Sequence, residues 1–138
     1  KNRKGYDTNL ASEFYVLSVL YRLGMDASLT LGNKKAVDIT VVLSEGRAVT
    51  VDVKAVAGKM DWLLGNTTPH TSANHFVVLV SYEDAFSKIE TLPRVWILPS
   101  VKLRQHVKIA GNEKTRYIPR KAFLLAGKPF ENAWHLLQ

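Results

Sequence analysis

Cysteine is missing from all 138 residues. Its absence excludes disulfide staples and thiolate-metal sites and fits a reducing, intracellular (cytoplasmic) compartment. No apolar run approaches the roughly 20 residues of a membrane-spanning helix, and there is no secretory signal pattern. Glycine-rich phosphate loops, internal repeats, linkers and low-complexity tracts are also lacking. Acids are scarce, 12 against 19 Lys and Arg, for a net charge of +7. A surplus of that size favours a polyanionic partner. The 46% apolar content suits a folded globule. The length suits one domain over residues 1–138, large enough to bury a core without staples.

Residues 1–6 read as a flexible basic arm. Thr8 or Asn9 can cap a helix running to Leu23, with Gly24 as its stop. Strands are expected at 27–31, 36–43 and 47–56, with a basic turn at 32–35. A long connection over 58–74 starts with a helical turn at 60–64 and ends polar and turn-rich. A buried strand at 75–82 precedes a short helix at 83–90 and a strand at 94–98. Ser100 can cap a helix with Leu103, Val107 and Ala110 on one face, although the Val101/Leu103 alternation also permits a strand. A charged loop at 112–119, a helix at 120–126 and a last helix opened by Pro129 follow. This order predicts an α/β domain with a central mixed sheet of about five strands flanked by helices.

The hairpin strands at 36–43 and 47–56 carry the chemistry. Asp38 and Asp52 stand where buried strands prefer apolar residues, and Lys54 follows two positions after Asp52 on the same face. Register decides whether Asp38 joins them. A three-residue loop at 44–46 pairs Leu43 with Arg47 and sets Asp38 opposite Asp52. Gly46 supplies the left-handed residue that loop wants. A two-residue turn at 45–46 would put the acids on opposite faces. Two opposed carboxylates repel. A hard divalent cation, Mg²⁺, Mn²⁺ or Ca²⁺, relieves that repulsion. The alternative is a hairpin with solvated acids.

Glu13 falls near the middle of the first helix's apolar face. Val16, Leu17 and Leu20 flank it, and Leu10, Phe14, Tyr21 and Leu23 extend the arc, while Ser12, Ser18 and Arg22 point away. A carboxylate aimed at a core needs a cation or donors. The alternative is an edge Glu reaching solvent, Arg22 or Lys54.

A helix Glu, a strand Asp, a hairpin and Asp-x-Lys on the next strand resemble the PD-(D/E)xK nuclease superfamily. The likeness is to its restriction-endonuclease-like and Holliday-junction-resolvase-like domains, and it covers residues 8–56. It implies a restriction-endonuclease-like core and a metal-dependent endonuclease hydrolysing DNA. Asp38, Asp52 and the Val53 carbonyl would ligate Mg²⁺ or Mn²⁺, with Glu13 assisting and Lys54 as the catalytic lysine. It also implies a homodimer, since cutting two strands suits two sites. Val37 stands where such families often have proline.

Lys34, Lys35 and Lys59 flank these residues in chain order and are candidate phosphate contacts. His70, His75, His106 and His135 match no zinc spacing. Trp62 and Trp96 could stack on bases, but packing is the favoured role. Two rival functions stay open: a non-catalytic nucleic-acid-binding module on the same architecture, and an interaction domain with ordinary surface acids.

Overall fold

The β-branched runs form one mixed sheet, and the apolar side chains on its two faces make two cores. The computed structural model describes residues 4–30, 37–44, 46–65 and 72–138. Helix α1 (Lys4–Arg22) precedes strands β1 (Asp26–Leu29), β2 (Ile39–Ser44), β3 (Arg47–Val56), β4 (Trp62–Gly65), β5 (His75–Ser81) and β6 (Arg94–Pro99). Helix α2 (Ser100–Leu103), strands β7 (Lys108–Ile109) and β8 (Arg116–Ile118) and helix α3 (Arg120–Ala126) follow. The central sheet has five strands in the order β1-β2-β3-β5-β6. Within it β3 and β5 run parallel and the other neighbours antiparallel. A parallel pair needs a long crossover, and the connection over 57–74 provides it.

On one face α1 lays Val16 and Leu20 against Ile39, Val41, Val51, Val53, Val78 and Val80. On the other, Leu79, Trp96 and Leu98 are covered by Trp62, Leu103, Ile118 and Phe123. Strand β5, sandwiched between them, is buried at every position, as its unbroken apolar run predicts. Trp62 meets Trp96 and Phe123 edge-to-face at 5.4 and 5.7 Å. Both tryptophans are therefore core anchors. Trp62 also donates its indole N–H to the Val80 carbonyl at 3.1 Å.

Several local expectations are corrected. Helix α1 starts at Lys4, so residues 4–6 belong to the helix rather than to an arm. Ser12 is fully buried, while Phe14 and Tyr21 are half or more exposed. The inward stripe is thus rotated toward small polar residues. The Ser12 hydroxyl donates to the Thr8 carbonyl at 2.6 Å, so its burial leaves no unmet donor. In place of the helical turn expected at 60–64, Trp62–Gly65 form β4, with burial alternating along it. It pairs with β8, which lies in the expected charged loop, and β8 pairs with β7, making a small second sheet. Glu83 and Asp84 adopt left-handed φ values of 53° and 65°, which a helix at 83–90 cannot accommodate. After Ser100 the helix lasts one turn, passes through a 3₁₀ turn at Arg104–His106 and becomes extended. The last helix is two 3₁₀ turns interrupted by Asn132, at φ 55°.

Candidate active site

Strand β3 outruns its neighbour. The β2–β3 ladder ends at Ile39–Val51, and, among the described residues, 52–56 pair as strand only with β5. A strand with one open edge exposes backbone donors, and Asp38 answers one of them. Its Oδ2 accepts the Val53 N–H at 2.7 Å. Its own N–H donates to the Val51 carbonyl at 3.1 Å, and its carbonyl accepts from Thr30 at 2.8 Å. Three hydrogen bonds thus pin Asp38 where β2 peels away.

Ile39 lies opposite Val51, the pairing that the expected hairpin register requires, and the ladder stops there, one position short of Asp38 and Asp52. The turn corrects the favoured reading: Ser44, not Leu43, pairs with Arg47, as in the two-residue alternative at 45–46, and an irregularity between Val42 and Ser44 restores the register beyond it. Gly46 takes the left-handed conformation, φ 70°.

The open edge forms one wall of a cleft of about 500 Å³. Helix α1 contributes Thr8, Asn9 and Glu13, β3 contributes Val53 and Lys54, and Asp38 stands at the junction. Met60, Asp61 and Leu63 close the far side. Glu13 is 7% exposed, so its carboxylate is held in the wall rather than in bulk water. Side chains from both faces meet here because the sheet stops here: Glu13 comes from the α1 layer and Lys54 from the strand beneath.

Asp52 is placed differently. It does not line this cleft, and its Oδ2 lies 3.2 Å from Nε2 of His75. The other ring nitrogen of His75 contacts the Ser100 hydroxyl. The ring is buried, on the strand that pairs with β3, with Thr50 opposite His75 and Asp52 opposite Val77. The sequence placed His75 at the head of a buried strand, as found, but assigned it no partner. Lys59 is exposed just beyond β3. Lys34, Lys35 and His70 lie outside the described residues. Among the described residues no group of three His, Asp or Glu is gathered to hold a metal ion.

A second charged group lies at the far end of β5. The Arg120 guanidinium, nearly buried, contacts the Glu83 carboxylate and donates to Ser81 Oγ at 3.0 Å. Arg94 forks onto Glu131 at 2.9 and 3.1 Å and lies 3.8 Å from Glu83. Burial works against ionised Glu83, but Ser81, Arg120 and Arg94 outweigh it and hold its pKa below the ordinary carboxylate value. Asp61 accepts the first N–H of α3, that of Arg120, at 2.8 Å, tying this group to the cleft wall.

No family model and no curated protein matches the chain. Its fold is similar to that of the bacterial homing endonuclease I-Ssp6803I, with a TM-score of 0.55 over 94% of this chain and 89% of that one, at 16% identity. The five-stranded mixed sheet flanked by helices is thus an endonuclease-like fold. No helix among the described residues is long and apolar enough to cross a membrane.

Proposed function

We propose that the protein is a metal-dependent endonuclease that hydrolyses DNA phosphodiester bonds in this cleft. The observation that carries the reading is the meeting of Glu13, Asp38 and Lys54 at the open edge of β3. The likeness of the fold to a homing endonuclease and the net charge of +7 support it.

The donor set suits a hard cation. Mg²⁺ needs no all-protein cage and is commonly held by one or two carboxylates with waters and substrate phosphate. Glu13, Asp38 and the Val53 carbonyl would be the protein's share, and Mn²⁺ fits the same oxygens. Bound there, the cation would polarise the phosphate and acidify a water. The chain's own contributions are distinct. Asp38, pinned by three hydrogen bonds, holds its carboxylate in place without loop rearrangement. Lys54 brings positive charge to the phosphate as negative charge develops on it. A ligand role for Asp52 requires its carboxylate to turn from His75.

Labelled duplex, junction, flap and single-stranded DNAs, incubated with Mg²⁺ or Mn²⁺, test the assignment. Lys54→Ala is expected to lower cleavage about 100-fold or more with unchanged melting, and Asp52→Ala tests the ligand that must turn. Wild-type-like nicking by both variants removes the assignment. The position of Asp52 against His75 favours a second reading, a nucleic-acid-binding module without turnover. Calorimetry decides for it if neither Mg²⁺ nor Mn²⁺ binds with DNA present.

A further inference from the structure

The charge of this chain is not spread evenly. Residues 100–128 hold eight Lys and Arg against one acid, Glu113, and so carry a net +7, as much as the whole chain. The remaining residues sum to zero. This segment forms α2, β7, β8 and α3 on the sheet face opposite α1.

The small sheet places part of that charge beside the cleft. Trp62 and Ile118, paired across β4 and β8, turn inward and are fully buried. Alternation puts their neighbours on the outer face. Leu63 pairs with Tyr117, and Tyr117 with Lys108. Leu63 also lines the cleft. The row Leu63–Tyr117–Lys108 therefore runs outward from the cleft wall, across two strand spacings or about 10 Å. Leu63 is 68% exposed, Lys108 is exposed and Tyr117 half-buried. At the end of the ribbon the turn is ordered: Asn112 Oδ1 accepts the N–H groups of Lys114 and Thr115, each at 2.9 Å. Among the described residues neither Lys108 nor Lys114 has a side-chain ion pair.

We propose that the outer face of the small sheet, with the β7–β8 turn, docks duplex DNA next to the cleft. The inference rests on the nuclease reading and names the surface that would deliver its substrate. A two-stranded ribbon fits the major groove, Lys108 and Lys114 meet phosphates, and exposed Leu63 offers apolar contact to thymine methyls.

Fluorescence anisotropy with a labelled duplex, in EDTA over a salt series, tests it on the full chain. Lys108→Ala/Lys114→Ala is expected to weaken binding and to make the log-log salt slope shallower by about 1.8, two phosphate contacts at about 0.9 each. The control Arg22→Ala/Arg47→Ala removes the same charge from exposed positions at the end of α1 and the hairpin tip. It should leave the slope near wild type. Equal effects of the two double variants, or no effect of the first, overturn the proposal. So does tighter, Lys108-dependent binding of single-stranded RNA than of duplex DNA. The two readings fail separately. A Lys108-dependent slope in a protein that cuts no DNA keeps the surface and ends the nuclease assignment. Cleavage and binding unaffected by the double variant do the reverse.

Discussion

Glu13 and Glu83 are both carboxylates drawn toward the interior, and their surroundings differ in one respect. Glu83 sits in a closed group, bonded to Ser81 and Arg120, with Arg94 shared between it and Glu131. Glu13 faces a cleft of about 500 Å³ in company with Asp38 and Lys54. Closed ion pairs hold elements together; here they bind α3 and the 3₁₀ turn before Glu131 to the ends of β5 and β6. Charges gathered around open space leave room for a ligand. The difference has a backbone cause. The first group gathers around Ser81 of β5, which is paired on both sides, with Val56 and with Arg94; the second lies where, among the described residues, β3 has no strand partner on its β2 side beyond Val51.

Substitutions should separate the two groups cleanly. In the cleft, Lys54→Ala acts on cleavage and spares melting. In the closed group the converse holds. Arg120→Ala removes a guanidinium whose side chain is 10% exposed and leaves Glu83 with Ser81 and the longer 3.8 Å contact to Arg94. Breaking a buried pair from one side costs about 3–5 kcal/mol. The lower end applies, because Glu83 is 25% exposed and can recruit water. Urea denaturation should read a loss of about 3 kcal/mol with unchanged m-value. An unchanged midpoint would show that the group is decoration, and the comparison would collapse.

Acid sharpens the same contrast. The folded pKa of Glu83 lies below its ordinary value, so the folded state binds fewer protons than the unfolded chain in that window. Its contribution to stability is complete above the ordinary carboxylate pKa, 4.5, and is lost as pH falls through the depressed folded value. Glu83→Gln should flatten this acid limb of a melting-against-pH curve. An identical acid limb in the variant would assign the loss to other carboxylates.

How much of this was legible beforehand follows from the range of each interaction. The hairpin strands, the buried β5 and the inward Glu13 were readable because periodicity is local. The pairing of Ile39 with Val51 was not readable from Gly46, because the turn pairs Ser44 with Arg47 and an irregularity farther along the ladder resets the register. Nor was the inward burial of Ser12, because a serine donating to its own helix carries no hydrophobic signal. Strands β7 and β8 are two and three residues long, too short for alternation to register, so β7 was read into the helix after Ser100 and β8 as loop. Asp52 meeting His75 and Arg120 meeting Glu83 depend on pairings across 23 and 37 positions, which tertiary structure alone supplies.

The smallest expected effect concerns what anchors Asp38. Gly46 has φ 70°, and a β-carbon there would meet nothing within 4 Å. Gly46→Ala therefore carries only backbone strain, about 1–2 kcal/mol for a left-handed residue. Two devices could hold Asp38 in place: the turn that sets the register, or the local bonds to Val51, Thr30 and Val53. The local bonds lie at the opposite end of β2 from the turn, and the irregularity between Val42 and Ser44 already isolates one from the other. Strain at the turn should then lower the melting temperature while DNA cleavage at saturating Mg²⁺ stays at the wild-type rate. If cleavage falls as far as Asp38→Ala takes it, the turn positions the carboxylate, and the open edge of β3 is its consequence rather than its cause.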